Sequence, residues 1–195
     1  MSWFHASTTA AYARDRATAA EIVACFRDQR SLLDKLAFLI TARRATAEQA
    51  VAQACEITLQ GNSPFRNWLL EWAKAATIAA AVSLQGEAIR MYEAMYKDGR
   101  CPHVEHLCQF DNERRAAILA LILQMDAGKI IEELDPLCRA ILVLRIAIRS
   151  TIQDCSFRLN VSRAAMLAAH CRAMTWLDHC QVKPLEGDHN ASHAL

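Results

Sequence analysis

Glycine and proline are scarce in this chain, with five glycines and four prolines among 195 residues. The glycines are scattered, which excludes a glycine-rich phosphate loop. No uncharged apolar run reaches the roughly 18–20 residues that a membrane span needs. The best candidate, Ala75 to Gly86, is bracketed by Lys74 and Glu87. Neither sign of charge dominates: 22 Lys+Arg oppose 21 Asp+Glu, for a formal net charge of +1. That excludes a global field that gathers nucleic acid, so a DNA role needs a local basic patch. Met1 to His5 lacks the charged start and apolar stretch of a secretory signal. The expectation is a cytoplasmic protein with no membrane contact, whose eight cysteines are reduced and mostly buried.

What is present is helix-forming. Hydrophobic residues make up 53% of the chain and charged residues 22%, enough for a sizeable core and a solvated surface. Segments rich in Ala, Leu, Arg, Glu and Gln lie between the glycines and prolines, and no strand alternation of useful length occurs. The spacing predicts one or two helices over Thr18 to Ala42, with Leu32, Leu33, Leu36, Leu39 and Ile40 on one face. Further helices are predicted from Thr46, as N-cap, to Leu59, from Ser63-Pro64 to Leu84, and from Glu87 to Lys97. Others cover Asn112 to Asp126, Pro136 to Ile148, Thr151 to Arg158 and Ser162 to Asp178. The fold class is therefore all-α, with two small helical domains. The domains are 18–99 and 131–180, joined by a connector at 100–130 that carries the helix 112–126 and followed by a flexible tail at 181–195.

The last two helices and the residues between them have the layout of a helix-turn-helix. Asn160 suits the tight turn because asparagine tolerates left-handed backbone angles, and Ser162 suits the N-cap of the last helix.

Leu134 to Leu177 resembles region 4 of bacterial RNA polymerase sigma factors, especially the extracytoplasmic-function type. The matching residues are Leu134, Pro136, Arg139, Leu142, Leu144, Arg145, Asp154, Leu159 and Val161. The N-terminal half resembles region 2 of the same family. Leu36, Ala37, Thr41, Arg44, Ala47, Glu48 and Val51 match in one stretch, and Phe65, Arg66, Trp68, Leu69 and Ala73 in the next. The resemblance implies a region 2-like helical bundle and a region 4-like helix-turn-helix. It also implies that the chain binds RNA polymerase core and promoter DNA, with an anti-sigma factor as a further partner. By the same resemblance Glu48 faces polymerase, while Arg66, Lys74, Arg163 and Arg172 contact DNA.

The chain departs from the family pattern on its charged surfaces. Gln49 and Gln53 stand where acids are usual, and Glu71 reverses the sign of a basic position. Arg149 replaces a small residue before the turn, and Ser156 replaces an alanine. The last helix offers Arg163 and Arg172 but carries Leu167 and Ala169 at positions that are usually polar or basic. Few phosphate contacts mean little counterion release to drive binding. The alternative expectation is thus a sigma-fold interaction regulator that no longer reads DNA.

Other constellations have plainer readings. Cys101, His103, His106 and Cys108 lie close together and are all suitable zinc ligands, yet their spacing also suits a structured linker with free thiols. His170 suits a buried neutral histidine better than a ligand. Trp68 and Trp72 are expected in the core or a domain interface, and Arg43, Arg44, Arg114 and Arg115 on a solvated surface. No thiol, base and orienting group come together as nucleophilic catalysis requires. The expectation is a non-enzyme without a cofactor.

Overall fold

A computed structural model describes residues 15–96 and 112–182, with side chains to residue 180. Among the described residues there are nine α-helices and no strand. They are α1 (Ala19–Asp28), α2 (Arg30–Thr41), α3 (Arg44–Gln60), α4 (Leu69–Met91) and α5 (Asn112–Gln124), followed by α6 (Ala127–Glu133), α7 (Pro136–Ala147), α8 (Ile152–Leu159) and α9 (Arg163–Val182). Single 3-10 turns cover Arg66–Trp68 and Tyr92–Tyr96. The all-α expectation holds. No helix of the described residues is long and apolar enough to cross a membrane.

Local chemistry explains most boundaries. Thr18 and Glu21 form a reciprocal capping box at the start of α1, and Asp135 caps α7 ahead of Pro136. Four boundaries differ from expectation. The helix expected from Ser63-Pro64 starts only at Leu69, because Ala17 N–H donates to the Pro64 carbonyl at 2.9 Å and Arg66 N–H to the Asp15 carbonyl at 2.8 Å, which keeps this stretch extended. Thr46 lies inside the first turn of α3, whose N-cap is Arg43. Gly86 lies inside α4, which continues to Met91 instead of breaking. Interior glycine costs a helix about 1 kcal/mol; the buried Ile78, Ala81 and Ile89 hold the helix through it. Gly128 opens α6, because the Asp126 side chain accepts the Gly128 N–H at 3.1 Å.

One continuous core runs from Ala17 to Leu177. Leu33, Leu36, Leu39 and Ile40 are fully buried, as the period of α2 predicts. α7 packs against both α2 and α4, so helices from either side of the 100–130 connector share this core. Two cations seal it. Lys35 Nζ donates to the Leu123 carbonyl at 2.5 Å and the Met125 carbonyl at 2.8 Å, at the C-terminus of α5. Arg139, only 5% exposed, donates through Nε to the Leu39 carbonyl at 2.8 Å and through Nη1 to those of Ile131 and Leu134. These carbonyls belong to the C-terminal ends of α2 and α6, where the last turn leaves acceptors unpaired and the dipole is negative. Burial lowers the Arg139 pKa, and the Asp135 carboxylate opposes that shift.

The expectation of uniformly reduced cysteines needs correction. Cys25, Cys55, Cys138 and Cys155 are free thiols, but Cys171 is disulfide-bonded. Composition speaks to compartment; it cannot say which thiols the fold brings together.

Candidate functional site

The helix-turn-helix pair is built from local bonds. Thr151 and Asp154 form a capping box at the start of α8: Asp154 N–H donates to Thr151 Oγ1 at 3.0 Å, and Thr151 N–H to Asp154 Oδ2 at 2.9 Å. The Thr151 hydroxyl and amide hold the Asp154 carboxyl below its ordinary value of 3.8. α8 ends on Asn160 in the left-handed region, with φ 51° and ψ 51°. Val161 N–H then reaches back to the Ser156 carbonyl at 3.1 Å and Asn160 N–H to the Phe157 carbonyl at 3.3 Å, the paired bonds of a Schellman turn. Ser156 Oγ donates to the Val161 carbonyl at 2.6 Å. Ser162 Oγ accepts from Ala165 N–H at 3.4 Å and starts α9.

α9 is committed inward. Ala165, Met166, Ala169, His170, Ala173 and Leu177 are buried, and in its first two turns the exposed residues are Arg163 and Ala164. A carboxylate occupies its entrance: Ser162 N–H donates to Glu93 Oε1 at 2.9 Å, from the turn Tyr92–Tyr96. The same turn carries Tyr96, whose hydroxyl bonds the Asp135 carboxylate and lies 3.1 Å from Cys138 Sγ. Burial, then Asp135, pushes the Tyr96 phenol far up. Burial, then Asp135, also pushes the Cys138 thiol up to about 12. Arg172 faces this cluster and is held above its ordinary value chiefly by Tyr96.

The other residues singled out from the sequence are dispersed. Arg66 is half exposed but ion-paired to Glu21 at 2.8 Å. Lys74 is buried, its Nζ 2.5 Å from Glu71 Oε1. The two lie three apart, so the reversed charge at Glu71 neutralises the lysine on the same helix face. Glu48 lines a cleft of about 510 Å³ with Asp34, Lys35 and Arg44, between α2, α3 and the start of α6. Arg163 is exposed and has no hydrogen bond or ion pair among the described residues. The metal candidates Cys101, His103, His106 and Cys108 lie outside the described residues, as does the tail from residue 183. Among the described residues no cluster of three His, Cys, Asp or Glu is arranged for a metal.

Of the two placements expected for Trp68 and Trp72, the core is excluded: they are 67% and 49% exposed. They line a cleft of about 460 Å³ with Glu71, Ala75, Ile148 and Arg149. Their four-residue spacing does put them on one face, but that face turns away from Ala73 and Ile78, which carry the burial of α4. Sequence reading also missed Glu93 and Tyr96. No local pattern marks either, because their partners lie 69 and 39 residues away. Arg149 had a visible signal, as a long side chain where a small one is usual.

No family model matches the chain, and no curated protein or solved structure is significantly similar to it. The sigma-factor resemblance therefore rests on the residues quoted for it.

Proposed function

We propose that this chain is a sigma-like regulator of transcription initiation that works through protein contacts and not by reading promoter DNA with α9. The observation that carries this reading is the bond from Ser162 N–H to Glu93. A helix N-terminus offers free amides and a positive dipole end to phosphate; here a carboxylate of the same chain takes that place. The surroundings agree. Lys74 is paired and buried, Arg66 is paired, and Arg172 is turned to Tyr96. In the first two turns of α9 Arg163 is the one exposed cation, so that end of the helix supplies few phosphate contacts, and affinity scales with their number. RNA polymerase core and an anti-sigma factor are the partners this reading favours, with Glu48 on the polymerase side.

The test pairs two measurements on the purified chain. Fluorescence anisotropy with duplex promoter DNA at low salt is expected to show no binding. Co-purification with RNA polymerase core is expected to retain the chain. Tight duplex binding by the wild type overturns the proposal.

A second reading keeps promoter recognition, with Arg163 and Arg172 as its DNA contacts. The capped α8, the Asn160 turn and the exposed Arg163 at the start of α9 favour it. It requires duplex binding that Arg163→Ala with Arg172→Ala weakens.

A further inference from the structure

We infer that the cleft between α4 and the α7–α8 turn is a docking site for an amphipathic helix of a second protein, one whose apolar stripe is flanked by carboxylates. Two independent observations meet there. The first is the tryptophan pair, Trp68 largely and Trp72 about half exposed. Trp68 is held in place: its ring meets Phe65 edge-on, 5.9 Å between centroids at 77°, and the Arg16 guanidinium lies 4.7 Å above the Phe65 centroid. Trp72 follows one turn later on α4. Fixed, exposed tryptophans lose little freedom on binding and are the residue type most enriched among binding hot spots.

The second observation is Arg149. Its backbone sits at φ 60°, in the left-handed region that a side chain adopts at a cost and glycine does not. The turn is held by others: Arg145 Nη1 donates to the Ser150 carbonyl at 3.0 Å, and Ser150 N–H to the Leu144 carbonyl at 3.1 Å. Arg149 itself is exposed, has no hydrogen bond or ion pair among the described residues, and lines the same cleft as the tryptophans.

Charge selects the occupant. Glu71 is already neutralised by Lys74, so the unpaired charge at the cleft is the Arg149 cation beside an apolar floor of Trp68, Trp72, Ala75 and Ile148. That combination complements a helix with an apolar face and an acidic edge. A single-stranded nucleic acid also stacks on tryptophan, but one cation provides one phosphate contact and little counterion release. This inference rests on the proposed protein-contact function and names the surface and the partner chemistry for it.

The experiment titrates the full chain with a tryptophan-free amphipathic peptide bearing glutamates beside its apolar stripe, while tryptophan emission is followed. The controls are the same peptide with lysines in their place and a single-stranded DNA. Trp68→Phe and Trp72→Phe assign the signal, and circular dichroism shows that these exposed substitutions leave the fold intact. The glutamate peptide is expected to shift the emission of Trp68 and Trp72 to the blue and to bind about tenfold tighter than the lysine peptide. Arg149→Gly is expected to weaken that binding about tenfold while raising the melting temperature by about 2 °C, since glycine relieves the backbone. Equal binding of both peptides, no binding of the glutamate peptide at millimolar concentration, or tighter binding of the DNA through Arg149 overturns the inference. Failure of the glutamate peptide with polymerase core still co-purifying overturns the inference and leaves the proposed function standing.

Discussion

Arg139 Nε donates to the Leu39 carbonyl at 2.8 Å across 100 residues of sequence, so a side chain of α7 closes the C-terminal end of α2. The same guanidinium closes α6. Removing it strands buried carbonyls, each of which then lacks the donor that repays its desolvation. Arg139→Met is expected to lower stability by about 3 kcal/mol. Arg139→Lys restores part of this, because an ammonium lacks the planar fork. Urea denaturation midpoints of the three proteins check it; equal midpoints would show that the bonds contribute nothing net.

The thiols divide by burial. Burial, opposed by Arg145, leaves Cys155 at about 12, and Cys138 stands at the same level. Thiolate is the reactive form, so both are almost wholly inert near neutral pH. Cys25 and Cys55 are also raised by burial but are only half buried. Alkylation of the native protein followed by mass spectrometry is expected to label Cys25 and Cys55 well before Cys138 and Cys155. Cys171 is expected to resist until a reductant is added, because it is disulfide-bonded.

Two capping carboxylates contribute to the acid limb of stability. The Thr18 amide and hydroxyl, then Arg66, hold Glu21 below its ordinary 4.5, and Thr151 holds Asp154 below 3.8. A carboxylate with a lowered folded-state pKa contributes stability that is fully present above its unfolded value. That contribution is lost as the pH falls through the folded one. Melting temperatures are therefore expected to fall as the pH drops below these ordinary values. Glu21→Gln with Asp154→Asn should flatten that part of the profile; an unchanged slope would assign it to other groups.

Glu93 tests what withholds α9 from phosphate. Glu93→Gln keeps the shape and the acceptor but removes the charge at the helix N-terminus. Removal of an anion there is expected to cost up to about 1 kcal/mol of stability. It is also expected to raise duplex DNA affinity several-fold at low salt, an increase that Arg163→Ala abolishes. Anisotropy titrations over a salt series measure both; an affinity that does not move shows that other features of α9 keep DNA away.

Much of the architecture follows from the sequence alone because its causes are local. The apolar period of Leu33, Leu36, Leu39 and Ile40 sets the buried face of α2. Asp135-Pro136 starts α7, Thr151 starts α8, and Asn160 with Ser162 turns α8 into α9; each is a bond or backbone preference among near neighbours. Gly86 was misleading for a related reason: its helix-breaking tendency is small against the packing of Ile78 and Ile89 on either side. What only the tertiary structure decided are the long-range matters. Trp68 and Trp72 share a face by their spacing, but whether that face is covered depends on which elements arrive there, and the α7–α8 turn stops short enough to leave a cleft. Lys74 and Arg172 keep the charges that the family resemblance assigns to DNA, while Glu71 pairs with the first and the second faces Tyr96 and Asp135. The entrance of α9 is settled by Glu93, brought from 69 residues away. Helical period and capping are encoded within a few residues, whereas the partner of a charge and the cover of an aromatic ring depend on the packing of the whole chain.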